Sequence, residues 1–173
     1  MRLGYAFVRA FAQMLFRLGY GISVTGTDNI PRTGSLIIAS NHRSNFDPPL
    51  MGSIIPREAH FFAKDELFRS RLFGGFLRYL NAFPVRRGKF DRESLKTCLG
   101  VLENNGALVF FPEGTRAPSD GFLRAKIGLG WVISLSNAPI LPVYLHGTAD
   151  FHPRIIKRPG FSVVFGNPIP AAD

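Results

Sequence analysis

The sequence predicts an α/β fold: a mostly parallel central sheet flanked by helices, forming one domain over residues 22–173, with an amphipathic helix over residues 1–21 ahead of it. Three observations carry this expectation. Short apolar runs alternate along the chain with segments whose apolar residues recur at helical spacing, the pattern of strands joined by crossover helices. Two of the runs, Leu36-Ile37-Ile38-Ala39 and Leu108-Val109-Phe110-Phe111, contain no polar position, as expected of strands covered on both faces. A length of 173 residues with 46% hydrophobic content suits one domain with a sizeable core.

In the first twenty residues, Arg2, Arg9, Gln13 and Arg17 fall within about 80° of one another on a helical wheel. Leu3, Phe7, Phe11, Met14, Leu15 and Leu18 take the remaining surface. Such a helix either packs on the domain's own core or lies in a membrane interface with its arginines toward the headgroups. Arg9 and Arg17 interrupt every candidate apolar core of a signal peptide, and no A-x-A-like site follows. Strands are then expected at Ile22–Thr25, Leu36–Ser40, His60–Ala63, Phe83–Val85, Leu108–Phe111, Ile140–Leu145 and Ser162–Phe165. Helices are expected at Pro48–Ile54, Leu67–Leu80, Arg92–Asn104 and Leu123–Ser134. Asn105-Gly106 stops the third of these, and Asn137 with Pro139 stops the fourth.

Several classes are excluded by counting. Cys98 is the only cysteine, so there is no disulfide scaffold, and Leu95, Cys98, Leu99 and Leu102 follow a helical pattern that buries the thiol. The longest stretch without a charged residue, Ile127–Ala149, is broken by Ser134, Ser136, Asn137, Pro139, Pro142 and His146. No run approaches the ~20 apolar residues of a transmembrane helix. Lys and Arg number 21 against 12 Asp and Glu, and the excess sits in residues 1–92, which hold 14 and 6. A basic surface suits an anionic partner. The phenylalanines fall at buried strand or helix positions rather than beside arginine on one exposed face, so nucleic acid is not an expected partner.

Both apolar strands run straight into a polar cluster: Asn41-His42-Arg43-Ser44-Asn45-Phe46-Asp47 after the first, Pro112-Glu113-Gly114-Thr115-Arg116 after the second. Ligands of open α/β sheets bind beyond the carboxyl ends of the strands, so parallel strands would bring the two clusters to one edge. On a continuous helix His42 and Asp47 would lie about 140° apart. A loop entering a helix can join them, and Asp47-Pro48-Pro49-Leu50 reads as an N-cap followed by proline at the first helical position. Backbone N–H groups would then hold the carboxylate ionised while its other oxygen accepts from His42, leaving the second ring nitrogen as a general base. No G-x-S-x-G elbow is present, and His42, His60, His146 and His152 lack metal-ligand spacing. Without a protein nucleophile or metal, the histidine would activate a hydroxyl of the substrate itself. In the second cluster Gly114 permits close approach of backbone to ligand, Thr115 can donate a hydrogen bond, and Arg116 can bind phosphate in bidentate fashion. Arg86-Arg87 and Lys126 are further candidate phosphate contacts.

Asn41-His42-x-x-x-x-Asp47, followed about 65 residues later by Phe111-Pro112-Glu113-Gly114-Thr115-Arg116, resembles the glycerolipid acyltransferase family. The resemblance spans nearly the whole chain: Val24-x-Gly26 with Asn29-Ile30-Pro31, Ala63-Lys64-Asp65-Glu66-Leu67, Ile140-Leu141-Pro142-Val143 and Phe165-Gly166-x-Pro168-Ile169 also match its segments. Three positions depart from the pattern: Arg86 stands where the family has an acid, Ala117 where serine is common, and Asn81 where glycine is common. The resemblance implies a glycerol-3-phosphate acyltransferase-like fold and transfer of a fatty acyl group to the free hydroxyl of 1-acyl-glycerol-3-phosphate, giving phosphatidate. It makes His42 the general base and Asp47 its orienting partner, and it gives Glu113, Gly114, Thr115, Arg116, Arg87 and Lys126 to substrate binding. The donor it implies is an acyl thioester, acyl-CoA or acyl-carrier protein, with no metal and no bound cofactor. Its implied setting is peripheral, on the cytoplasmic face of an anionic membrane, without a transmembrane helix. Another acceptor, such as glycerol-3-phosphate or a lyso-ornithine lipid, or a non-catalytic lipid-binding role, are the alternatives.

Overall fold

A computed structural model of the chain describes residues 1–85, 90–118, 121–149 and 160–171. Helix α1 (Leu3–Tyr20) leads into strand β1 (Ile22–Thr25), β2 (Leu36–Ser40), helix α2 (Asp47–Ile54), β3 (Ala59–Lys64), α3 (Arg71–Tyr79), β4 (Ala82–Val85), α4 (Arg92–Glu103), β5 (Ala107–Phe110), α5 (Ile127–Ser136), β6 (Ile140–His146) and β7 (Phe161–Phe165). The seven strands form one sheet in the order β1-β7-β6-β2-β5-β3-β4. All neighbours are parallel except β6 and β7.

Strand alternation divides the interior into two cores. Leu36 and Ile38 of β2, with Val109, Leu141 and Val163, face a layer built on α2 and on Phe16 of α1. Ile37, Leu108 and Phe110 face the opposite layer, where Cys98 and Leu102 of α4 and Val132 of α5 close over them. Cys98 is fully buried, and that burial pushes its thiol up to about 12, which removes it from thiolate chemistry. Helix α1 does two things at once. It buries Tyr5 and Phe16 against the domain while Leu3, Phe7, Phe11, Met14, Leu15 and Leu18 stay exposed.

Two helices begin later than the periodicity suggests. The segment expected as one helix over 67–80 divides into a 3-10 turn at Asp65–Phe68 and α3, which starts after Ser70, whose hydroxyl accepts from the Phe73 N–H. The turn folds onto the helix at Gly74, where a Cβ would stand 2.8 Å from the Phe68 carbonyl oxygen. Helix α5 starts at Ile127 rather than Leu123, because the Lys126 N–H that would close the first turn on Phe122 is committed elsewhere. The Leu123 N–H donates to Glu113 Oε2 (3.2 Å) and the Lys126 N–H to the Pro112 carbonyl (2.8 Å).

At the amino ends of the central strands a single guanidinium ties the connections together. Arg57 donates from Nη1 to the Pro31 carbonyl (3.1 Å) and from Nη2 to the carbonyls of Gly34 and Asn105 (2.7 Å each). The pairing of β2 with β5 and β6 sets Ala39 beside Phe110 and Pro142, so the polar clusters after β2 and β5 leave the sheet together.

Candidate active site

The residue before His42 fixes where it stands. The Asn41 side chain is buried and clasps β6 at one residue: its Nδ2 donates to the Leu145 carbonyl (2.9 Å) and its Oδ1 accepts from the Leu145 N–H (2.7 Å). The cluster after β5 then holds the His42 peptide at both ends. Glu113 Oε1 accepts from the His42 N–H (3.3 Å), and the Ala117 N–H donates to the His42 carbonyl (2.8 Å). The imidazole lies on Phe111, ring centroids 4.3 Å apart and planes 24° from parallel.

Asp47 has no exposed surface, and His42 Nδ1 lies 2.8 Å from its Oδ2. The same oxygen accepts from the backbone N–H groups of Arg43 (2.6 Å) and Ser44 (2.7 Å). A carboxylate only accepts, so Nδ1 carries the ring proton and Nε2 presents a lone pair. Among the described residues nothing bonds to Nε2, and Asp47 Oδ1 is buried without a partner. The expected loop-to-helix junction is present, but Asp47 is the first helical residue rather than the N-cap, and its amide donors come from the preceding loop. One oxygen, not two, takes all three bonds. Pro49 has no N–H to offer a cap at Asp47, and the Leu50 N–H is given to the Phe46 carbonyl (2.9 Å), which leaves the carboxylate to fold back onto the loop.

Glu113 is buried and has both oxygens engaged, Oε1 by His42 and Oε2 by Leu123. Its carboxylate therefore ties three segments together and is turned away from solvent. Gly114 has φ +62, and a Cβ there would stand 2.9 Å from Lys126 Cδ and 3.1 Å from Nζ. The bare backbone lets the Lys126 ammonium lie across the turn. Thr115 and Arg116 are exposed on the same turn. Arg87, expected here, lies outside the described residues, as does Arg86. Behind Glu113, on the sheet face of α4 and α5, opens a largely apolar groove of about 480 Å³ lined by Ala39, Phe122, Leu123, Pro142, Tyr144 and Val164. Among the described residues no three His, Cys, Asp or Glu side chains converge to hold a metal.

Sequence reasoning placed His42, Asp47, Gly114, Arg116 and Lys126 at this edge. It gave no role to the Asn41 clasp or the Phe111 stack. Both residues were visible at the flanks of the two motifs: Asn41 directly follows the Leu36–Ser40 strand, and Phe111 closes the Leu108–Phe111 run.

A family model for acyltransferases matches residues 21–146, which include both clusters. The chain is 29% identical over 170 residues to a 1-acyl-sn-glycerol-3-phosphate acyltransferase of Bacillus subtilis, a match covering 98% of this chain and 84% of that protein. It is 30% identical over 176 residues to the enzyme of the same name from Streptococcus pneumoniae, covering 99% of this chain and 65% of that one. Among solved structures it superposes on the 1-acyl-sn-glycerophosphate acyltransferase PlsC of Thermotoga maritima with a TM-score of 0.80 and 28% identity, over 96% of this chain and 69% of that one. With the matched region holding the histidine-aspartate pair and the turn that braces it, the chain belongs to the acyltransferase family.

Proposed function

We propose that the chain transfers a fatty acyl group from an acyl thioester, acyl-CoA or acyl-carrier protein, to the free hydroxyl of 1-acyl-glycerol-3-phosphate, giving phosphatidate. The observation that carries this reading is the 2.8 Å His42–Asp47 pair, with Nε2 open at the edge where the 113–116 turn stands. The acceptor hydroxyl gives its proton to Nε2 as its oxygen attacks the thioester carbonyl. A C–O ester bond forms, the C–S bond breaks, and the imidazolium returns the proton to the departing thiolate. Asp47 fixes the tautomer and offsets the positive charge that the ring gains. The enzyme forms no covalent intermediate, and the thioester itself supplies the driving force.

Arg116 and Lys126, exposed on and across the Gly114 turn, suit the acceptor phosphate, with Thr115 as a further donor. With both oxygens on backbone amides, Glu113 serves the acceptor site by bracing His42 and the Leu123 segment beside the Gly114 turn. The apolar groove behind it has the chemistry that an acyl chain requires.

Both substrates are amphiphiles, and the exposed apolar side of α1 suits docking on the cytoplasmic face of an anionic membrane. No helix of the described residues is long and apolar enough to cross one. The reading is tested by presenting radiolabelled acyl-CoA and acyl-carrier protein in turn to lysophosphatidate, glycerol-3-phosphate and a lyso-ornithine lipid in anionic mixed micelles. Turnover on lysophosphatidate, largely lost in Arg116→Ala, is expected. Turnover confined to the phosphate-free acceptor and indifferent to Arg116→Ala would overturn it.

A further inference from the structure

Helix α3 presents an apolar stripe of its own. Leu72, Phe76 and Tyr79 recur at i, i+4 and i+7 and are all exposed, Leu72 at 88%. That stripe runs into the exposed side of α1. Tyr79 lies against Gly4, where an added Cβ would overlap the phenol oxygen, and Gly4 stands between Phe11 (50% exposed) and Leu15 (52% exposed) on the helical wheel.

A polar clasp fixes the junction. Arg2 Nε donates to Glu58 Oε2 (3.0 Å), and Arg2 Nη2 donates to the Tyr79 carbonyl (2.8 Å) and to Asn81 Oδ1 (2.6 Å). Asn81 Nδ2 completes the ring to Glu58 (3.0 Å). Asn81 has φ +62, the conformation that favours the glycine common at this position in the resembling family, and here the asparagine adds the side chain that joins the clasp. Burial alone would raise the Glu58 pKa, but the hydrogen bonds from Arg2 and Asn81 outweigh it and hold the carboxyl down at about 2. Neither helix contains an acidic residue, and Arg17, Arg71 and Arg78 are exposed on them.

We infer that α1 and α3 form one continuous lipid-docking surface, its apolar stripes inserted among the acyl chains of an anionic bilayer and its arginines set at the headgroups. The inference rests on the membrane reading of α1 and adds α3 to it as a second contact, held in register by Arg2, Glu58 and Asn81. Docking through two joined helices fixes the rotation of the domain on the membrane, which a single helix leaves free.

The test is sedimentation with vesicles of phosphatidylglycerol and phosphatidylcholine, compared with phosphatidylcholine alone. The proteins compared are wild type, Phe7→Glu/Phe11→Glu on α1, Leu72→Glu/Phe76→Glu on α3, and Trp131→Glu/Leu135→Glu on the exposed face of α5. Loss of anionic-vesicle binding by about tenfold per residue in the α1 and α3 pairs, with the α5 pair unaffected, is expected. Loss in the α1 pair with full binding by the α3 pair would overturn the two-helix surface and leave the α1 reading standing. Wild type that ignores anionic vesicles would sink both. A second measurement guards against misfolded variants. The only tryptophan is Trp131, on the opposite sheet face. Leu72→Trp made in a Trp131→Phe chain should be quenched by brominated lipid on vesicle binding, and Trp131 of the wild type should not. Absence of quenching at position 72 in a vesicle-bound protein would contradict the inference.

Discussion

The two ends of the central strands are built from similar parts and differ in what they leave unused. At the amino ends, the Arg57 guanidinium binds three backbone carbonyls from two connections, and burial lowers its pKa. At the carboxyl ends, Asp47 and Glu113 bind backbone amides from the loops in the same manner, a buried charge cross-linking irregular chain. The difference lies in His42. Its peptide is held at both ends, its Nδ1 is held by Asp47 and its ring lies on Phe111, yet Nε2 remains open. One end spends its polar groups on holding the fold, whereas the other uses the same bonds to leave one ring nitrogen open at the rim of the sheet. That contrast, more than burial or charge, separates a structural cluster from a candidate site.

The contrast can be broken from either side. The largest effect is expected for Asp47→Asn, which loses the charge that fixes the tautomer and sets an amide N–H₂ among backbone donors. Turnover should fall by roughly 10²–10⁴-fold, with a lowered melting temperature, both read from acyl-transfer kinetics and calorimetry on the same sample. Arg57→Ala should do the reverse. Three charge-assisted bonds vanish, stability drops by about 2 kcal/mol or more, and melting falls by about 4–8 °C. Its kcat, measured well below melting, should match wild type. Gly114→Ala is a smaller change. It strains a φ of +62 by about 1–3 kcal/mol and pushes the flexible end of Lys126 off the turn. The expected readout is a several-fold higher KM for a phosphate-bearing acceptor with little change in kcat.

The smallest effect concerns the clasp at α1. The Glu58 carboxyl is held at about 2 in the fold against an ordinary value of 4.5. A depressed carboxyl stabilises the fold fully above its unfolded value, and that contribution is lost as pH falls from about 4.5 toward 2. Urea unfolding across this window should show wild type losing stability and Glu58→Gln losing less, and equal slopes would contradict the clasp.

Much of this was legible in the sequence for a physical reason. All-apolar strands such as Leu36–Ala39 and Leu108–Phe111 announce a sheet covered on both faces, and the polar cluster after each marks where its backbone reaches the rim. Less legible was everything set by a distant partner. Asn41 grips Leu145 across 104 positions of sequence, and Arg2 grips Asn81 across 79, with no periodicity to advertise either. The late start of α5 has the same origin, because nothing local says that the Lys126 amide belongs to the Pro112 carbonyl. Glu113 itself shows the limit most clearly. Its two oxygens accept from amides 71 and 10 positions away, at His42 and Leu123, and nothing in the motif marks it as a brace for those segments.

The most direct test of the contrast is a paired assay of His42→Ala and Arg57→Ala beside wild type, measuring acyl transfer to lysophosphatidate and thermal melting on the same samples. The expected outcome is that His42→Ala melts like wild type and makes no product, while Arg57→Ala melts earlier and, below that temperature, turns over at the wild-type rate. Product from His42→Ala at the wild-type rate would contradict it.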